Sequence, residues 1–300
     1  MEMEIRTDLA VEAEALQGEK AASLSGVRMK REERFGIEAT VVEIRSEKAE
    51  KEIGKSRGTY ITLDVGSVLR REKESVRKAA SCIGSYLREL ICLHSQLPVL
   101  VAGLGNRDVT PDAIGPKTAD KILVTRHMVR ELPKVFGHFR PVSAVVPGVL
   151  GTTGIESAQT VAALAKHTEA AAVIAVDAIA ARDTGRLCST VQISDTGIAP
   201  GSGIGNGRMA LDKKTLGIPV FAVGIPTVTD AATLAYDLME RSGREADEEL
   251  LRQQDRGMIV TTSDIDRRIS ELADIVSMGI NFALQQDMTM EELEDLTAGL

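Results

Sequence analysis

Residues 97–104 read LPVLVAGL and residues 171–178 read AAVIAVDA, and these two runs decide the fold. The first is a short apolar run bounded by Pro98 and Gly105. The second is equally apolar until its penultimate position, Asp177. Unbroken hydrophobic runs of this length are the pattern of strands buried on both faces, as in a parallel sheet covered by helices. Residues 142–149 repeat the pattern, and residues 157–167 between them and the second run are helical in spacing.

Working outward, β segments are expected at 187–193 and 218–223 (IPVFAV), and helices at 230–241 and 264–284. Thr110-Pro111-Asp112 has the form of an N-cap with Pro at the first helical position, opening a helix to about Arg130. Upstream, Val76, Ala79, Ala80, Ile83, Leu87, Leu90 and Ile91 recur at spacings of three and four, so a helix is expected within 70–94. Residues 37–44 and 59–63 are β-rich. Residues 1–35 are charged and weakly patterned, ending in Arg28, Lys30, Arg31 and Arg34 with Glu32 and Glu33 between, and read as a loosely attached arm. The acidic tail, 287–295, reads as helical or frayed. Strands alternating with helices predict an α/β fold, a mostly parallel (mixed) sheet with helices on both faces.

A chain of 300 residues that is 43% hydrophobic can bury a substantial core, and without Trp it must pack on Ala, Val, Ile, Leu and Met. A net charge of -8 argues against holding nucleic acid by bulk electrostatics, while leaving a basic protein open as substrate. Cys82, Cys92 and Cys188 are an odd set without metal-ligand spacing and read as reduced thiols. The charged first twenty residues lack the apolar core of a secretory signal, and the apolar run 170–181 is too short to span a bilayer. A cytoplasmic protein that does not engage membranes is expected.

In an open parallel sheet, ligands collect beyond the carboxyl ends of the strands. Asp112, in the turn after the first run, and Asp177, at the end of the second, both belong there. About two βα units separate them, so their strands could be neighbours. Two carboxylates brought close cannot both ionise cheaply, so one keeps its proton near neutral pH. Such a pair can act as base toward water and acid toward a carbonyl, the minimum equipment for metal-free peptide hydrolysis. Both acids also have plain structural explanations. A helix N-terminus satisfies Asp112, and an ion pair with Arg182 would satisfy Asp177.

Other motifs fail on inspection. Gly103-Leu104-Gly105 continues as Asn106-Arg107-Asp108 and does not complete a dinucleotide fingerprint; neither does Gly201-Ser202-Gly203-Ile204-Gly205. The latter reads as a tight loop whose amides could line a peptide groove, with Asp195, Gly201, Ser202 and Gly203 as candidate substrate contacts. His94, His127, His138 and His167 show no paired spacing, and Ser202 lacks a nucleophile elbow. Neither a metal nor a cofactor is implied.

Five blocks in register carry a resemblance. They are residues 103–116 (GLGNRDVTPDAIGP), 146–156 (VPGVLGTTGIE), 176–182 (VDAIAAR), 193–206 (ISDTGIAPGSGIGN) and 216–230 (LGIPVFAVGIPTVTD). Together they resemble the germination (spore) protease family, along a likeness that runs from residue 5 to about residue 284. The resemblance implies an atypical aspartic endopeptidase, related in fold to hydrogenase maturation endopeptidases. It would degrade small acid-soluble, DNA-binding spore proteins in the spore core during germination. It also implies a tetramer, made as a self-processing zymogen, with Asp112 and Asp177 as the catalytic acids. Arg6-Thr7-Asp8-Leu9-Ala10 resembles the family's processing site, with cleavage between Asp8 and Leu9. The expected organisation is therefore a propeptide, 1–8, then an N-terminal arm, β-rich segment and helix, 9–96, and an α/β catalytic core, 97–300, which 36–96 can join. The chain departs from the family by being shorter between about 240 and 257. Two rivals stay open: a metal-dependent peptidase of the hydrogenase-maturation type with the same acids as ligands, and a non-catalytic module that binds spore proteins.

Overall fold

The apolar runs lie side by side as strands in the computed structural model of the chain, which describes residues 6–16, 26–66, 73–94, 96–201, 207–244, 246, 249, 251 and 257–298. Its strands are β1 (Val27–Arg34), β2 (Ile37–Ile44), β3 (Gly58–Asp64), β4 (Val99–Gly103), β5 (Val142–Val145), β6 (Ala172–Ala180), β7 (Thr190–Ser194), β8 (Val220–Asp230) and β9 (Ile259–Val260). They form one mixed sheet in the order β1-β2-β3-β7-β8-β6-β4-β5, with the short β9 on β8. The neighbours β5-β4-β6-β8 run parallel. Beyond β8 every pairing is antiparallel, through β7, β3 and β2 to β1. This is the α/β architecture expected, with its parallel part confined to one half of the sheet, from β8 to the edge strand β5.

Alternation along the buried runs separates two cores. Val99, Val101, Ile174 and Val176 face the helices Lys73–Ile91 and Ile265–Leu284, meeting Ile83, Leu87, Leu272 and Val276. Leu100, Ala102, Val173 and Ala175 face the other way, onto Ala158, Val161 and Ala165 of the helix Ser157–Thr168. Both faces of β4 and β6 are therefore dry, which is why neither strand shows a polar alternate. No helix among the described residues is long and apolar enough to cross a membrane.

Several local expectations are corrected. The charged stretch Val27–Arg34 is not part of a loose arm but a strand, each residue paired in register with β2. It is an edge strand with mostly exposed side chains, so it carries no hydrophobic period to read. Residues 6–16 are also packed down, with Leu9 and Ala10 fully buried. The single helix expected from Asp112 to Arg130 is broken into a 3-10 turn (Thr110–Asp112) and the helices Ile114–Ala119 and Arg126–Glu131. The break falls where Thr125 is captured by the sheet: its N–H donates to the Val142 carbonyl (3.1 Å) and its Oγ1 accepts the Val142 N–H (3.0 Å). Thr110 is not an N-cap, since Val109 holds that position without a side-chain bond. β8 continues past its expected end to Asp230, buried throughout. The acidic tail holds a helix, Met290–Thr297, fixed by a reciprocal Thr289–Glu292 capping box.

Glycine places the turn after β4. A Cβ on Gly115 would lie 2.1 Å from the Leu104 carbonyl oxygen and 2.5 Å from that of Val176. One on Gly103 would lie 2.2 Å from the Gly115 carbonyl oxygen. The helix Ile114–Ala119 thus rests backbone to backbone on the ends of β4 and β6. On an exposed helix, Gly→Ala stabilises by about 1 kcal/mol. At Gly115 the sign is expected to reverse, with Gly115→Ala costing about 2–4 kcal/mol in denaturant unfolding.

Candidate active site

β4 and β6 end at different heights, and the site lies in the step between them. Their pairing stops at Gly103 opposite Val176, closed by the Leu104 N–H donating to the Val176 carbonyl (2.8 Å). β6 runs on to Ala180, so its edge from Asp177 onward is free of β4. The chain after β4 instead turns back over this edge through Gly105, whose φ of +107° lies in the left-handed region. A Cβ there would come within 2.1 Å of the Asp112 carbonyl oxygen. Only glycine permits that approach, and it brings the Thr110–Asp112 turn over β6.

Asp112 and Asp177 line one cavity of about 380 Å³, together with Asp8, Asn106, Pro111, Ala178, Ala180, Gly201 and Arg208. Asp112 is partly buried, and its Oδ2 accepts the Asn106 N–H at 2.7 Å. Asp177 is only 3% exposed, and its Oδ1 accepts the Ala178 N–H at 3.0 Å. Burial pushes the Asp112 carboxyl above its ordinary range, partly countered by the Asn106 N–H. Asp177 is pushed up much further, first by burial, then by the charge of Asp112 and then by that of Asp8. The repulsion adds to burial at Asp177, the deeper of the two acids.

The pairing of Asp177 with Arg182 does not occur. The Arg182 guanidinium is taken by Asp237 (2.9 Å) and by Glu240. Asp112 is not held by a helix terminus either, its donor being the loop amide of Asn106. Asp195 stands apart from the two acids: its Oδ1 accepts the Thr59 N–H (2.7 Å), which serves the β3–β7 junction. Gly201 lines the cavity, whereas Ser202 and Gly203 lie outside the described residues. Among the described residues, no three His, Cys, Asp or Glu side chains form a set that could hold a metal ion.

Asp8 and Leu9 sit at the same site. Asp8 lies against the free edge of β6, its N–H donating to the Ala180 carbonyl (2.9 Å) and its Oδ2 accepting the Ala180 N–H (2.9 Å). Leu9 is fully buried among Val11, Ile179, Ala181 and Leu187. Further residues here escaped the reading of the sequence: Lys55 on the loop before β3, and Gln192 on β7, each bonded to this segment. Neither belongs to a motif. Only the antiparallel arrangement of β3 and β7 carries them to the site.

An α/β protein with two converging carboxylates at an open strand edge is equipped to bind and hydrolyse an extended peptide. The chain belongs to the germination protease family, whose model matches residues 3–250. A germination protease of Caldanaerobacter subterraneus subsp. tengcongensis is 40% identical over 97% of this chain and 98% of its own length. One from Clostridium acetobutylicum is 39% identical over 96% and 98%. One from Bacillus cereus is 44% identical over 81% of this chain and 69% of its own length. Among solved structures, a [NiFe] hydrogenase maturation protease from Thermococcus kodakarensis KOD1 is similar at 15% identity with a TM-score of 0.36, covering 65% of this chain and 98% of that one.

Raised carboxyls make stability fall as pH rises. A carboxyl lifted in the fold binds its proton more tightly there than in the unfolded chain, so the penalty is absent below the unfolded value and grows through the window up to the folded one. Asp177→Asn removes this penalty. The variant is expected to match wild type near pH 4 and to gain on it by on the order of 1 kcal/mol per pH unit above that, read by denaturant unfolding across the range.

Proposed function

We propose that this chain is an aspartic-type endopeptidase whose working pair is Asp112 and Asp177. The observation that carries this reading is that a buried Asp177 feels the charge of Asp112 across a shared cavity. Asp112, ionised, takes a proton from a water whose oxygen attacks the peptide carbonyl carbon. Asp177, protonated, gives its hydrogen to the carbonyl oxygen. Collapse of the tetrahedral diol breaks the C–N bond: Asp112 passes its proton to the departing nitrogen and a diol hydroxyl returns one to Asp177, leaving a carboxylic acid and an amine. The two acids titrate as one unit, so activity should follow a bell-shaped pH profile that belongs to the pair.

The substrates proposed are the small acid-soluble proteins of the spore core, on the strength of the family and of its germination name. Self-processing between Asp8 and Leu9 is proposed with them. Support comes from the position of that bond, whose flanking residues lie at the free edge of β6, with Asp8 lining the same cavity as the two acids. Assembly as a tetramer is proposed on the resemblance alone.

Incubation of the purified chain with a small acid-soluble spore protein should yield discrete fragments, and N-terminal sequencing should find Leu9 as the new first residue. Asp112→Asn and Asp177→Asn are each expected to lower cleavage by at least about 1,000-fold while the fold is kept. Substantial activity in either variant removes that acid from the mechanism. Loss of wild-type activity to a chelator, restored by added metal, would favour the metallopeptidase reading. Tight binding without fragments would favour a holding module.

A further inference from the structure

The segment 6–10 is a peptide held in a groove, and each backbone group around the Asp8–Leu9 bond has an identifiable holder. On the far side of β6 from β4 lies β8, and beyond it β7, whose Gln192 is buried and points its amide at this segment. Gln192 Oε1 accepts the Ala10 N–H at 2.7 Å, and its Nε2 donates to the Asp8 carbonyl at 3.3 Å. One primary amide thus grips the chain on both sides of the 8–9 bond, as a neighbouring strand would. Lys55 Nζ donates to the Thr7 carbonyl at 3.1 Å, one peptide further back. Gln192, Lys55 and Asp8 line a second hollow of about 240 Å³ that also touches Tyr60, Ser194 and Thr196.

The side chains flanking the bond are read as well. The Asp8 carboxylate takes the Ala180 N–H and stands near enough to the Lys55 ammonium for their charges to interact. Burial makes the Lys55 charge costly, and the acids Asp8 and Glu12 offset that cost. A neutral residue in the place of Asp8 would leave a half-buried ammonium with one compensating charge fewer. Leu9 fills an apolar pocket formed with Ile179, Ala181 and Leu187. The groove therefore distinguishes an acidic residue followed by an apolar one.

We propose that Gln192 and Lys55 are the substrate-holding residues of this enzyme: Gln192 grips the peptide backbone across the bond to be cut, and Lys55 selects an acidic side chain immediately before it. This rests on the proposed cleavage at Asp8–Leu9 and names the residues that make that bond recognisable. Gln192 makes only backbone contacts here, so its loss should weaken all peptides alike. Lys55 bonds the Thr7 backbone and shares its hollow and its charge with Asp8, so its loss should erase a preference as well as weaken binding.

Two readouts, one on the uncut chain and one on the processed enzyme, separate docking from cleavage. Hydrogen exchange of the segment 6–13, followed by mass spectrometry, reports whether the segment is held. Cleavage in trans of two peptides carrying Asp-Leu or Asn-Leu, in the self-processed enzyme, reports selection. In wild type the segment should be protected and the Asp peptide preferred by about 10-fold or more in kcat/KM. Gln192→Met should lower kcat/KM about 10-fold on both peptides and leave their ratio unchanged. Lys55→Met should bring the ratio to within about twofold, lowering kcat/KM on the Asp peptide more than on the Asn peptide, and Lys55→Arg should restore the preference. A wild-type ratio in Lys55→Met overturns the assignment of Lys55. Wild-type protection of the segment in Gln192→Met overturns that of Gln192, whatever the cleavage rates. A wild-type chain that never cuts, yet loses protection in both variants, sinks the peptidase reading and leaves the two residues as the holders of the segment.

Discussion

The pairing of the two acids depends on one close contact: at Gly115 the helix Ile114–Ala119 lies backbone to backbone against the ends of β4 and β6. Gly115 meets the carbonyls of Leu104 and Val176, and Gly103 meets Gly115. A helix packed on a sheet through ordinary side chains stands about 10 Å away. Removing that layer pulls the preceding turn down onto β6, and the turn carries Asp112. Asp177 needs no such device, because it is a position in β6 itself. The two acids meet because one is fixed to the sheet and the other is drawn to it by missing side chains.

That contact also sets the electrostatics. The acid on the strand is walled by dry packing above and below, and the acid on the turn keeps some access to solvent and to the Asn106 amide. Burial in equal measure would have raised both carboxyls alike and left their roles interchangeable. Unequal burial, with repulsion adding at the deeper group, gives the two carboxyls the unlike surroundings that the proposed mechanism uses as base and acid. The same step between β4 and β6 leaves backbone N–H and C=O groups of β6 unpaired by the sheet. Those groups must find a partner, and an extended peptide is the natural one.

The sequence made the centre of this fold legible and its periphery much less so. The runs at 97–104 and 171–178 could be read because strands dry on both faces have no polar alternates to confuse them. Asp177 stood out for the same reason, as a charge at the end of an apolar run. The helices Ser157–Thr168 and Ile265–Leu284 were legible from their period. β1 was not, since an edge strand of charged residues with little burial has no pattern to show. The broken helix after Asp112 was missed because Thr125 answers to the sheet and not to its neighbours in the chain. Lys55 and Gln192 could not have been found from local sequence, since their roles arise from pairing β3 with β7. The register of β6 and β4 turned the acids of two separate motifs into a pair, and no single stretch contains that information.

The occupied groove explains why a peptidase of this design would need processing before it could work on other proteins. A segment tied to the same chain presents itself at an effective concentration set by its tether, on the order of millimolar for a short connection. Here the tether is short and the segment is gripped at Thr7, Asp8, Leu9 and Ala10. A free substrate offering the same acidic and apolar pair would compete poorly against it. Cutting the Asp8–Leu9 bond changes the balance at once. The piece that carries Thr7 and Asp8 would lose its tether. Recognition and restraint are then two consequences of one arrangement: the chain's own N-terminal segment laid along the strand edge that the proposed mechanism requires to be open.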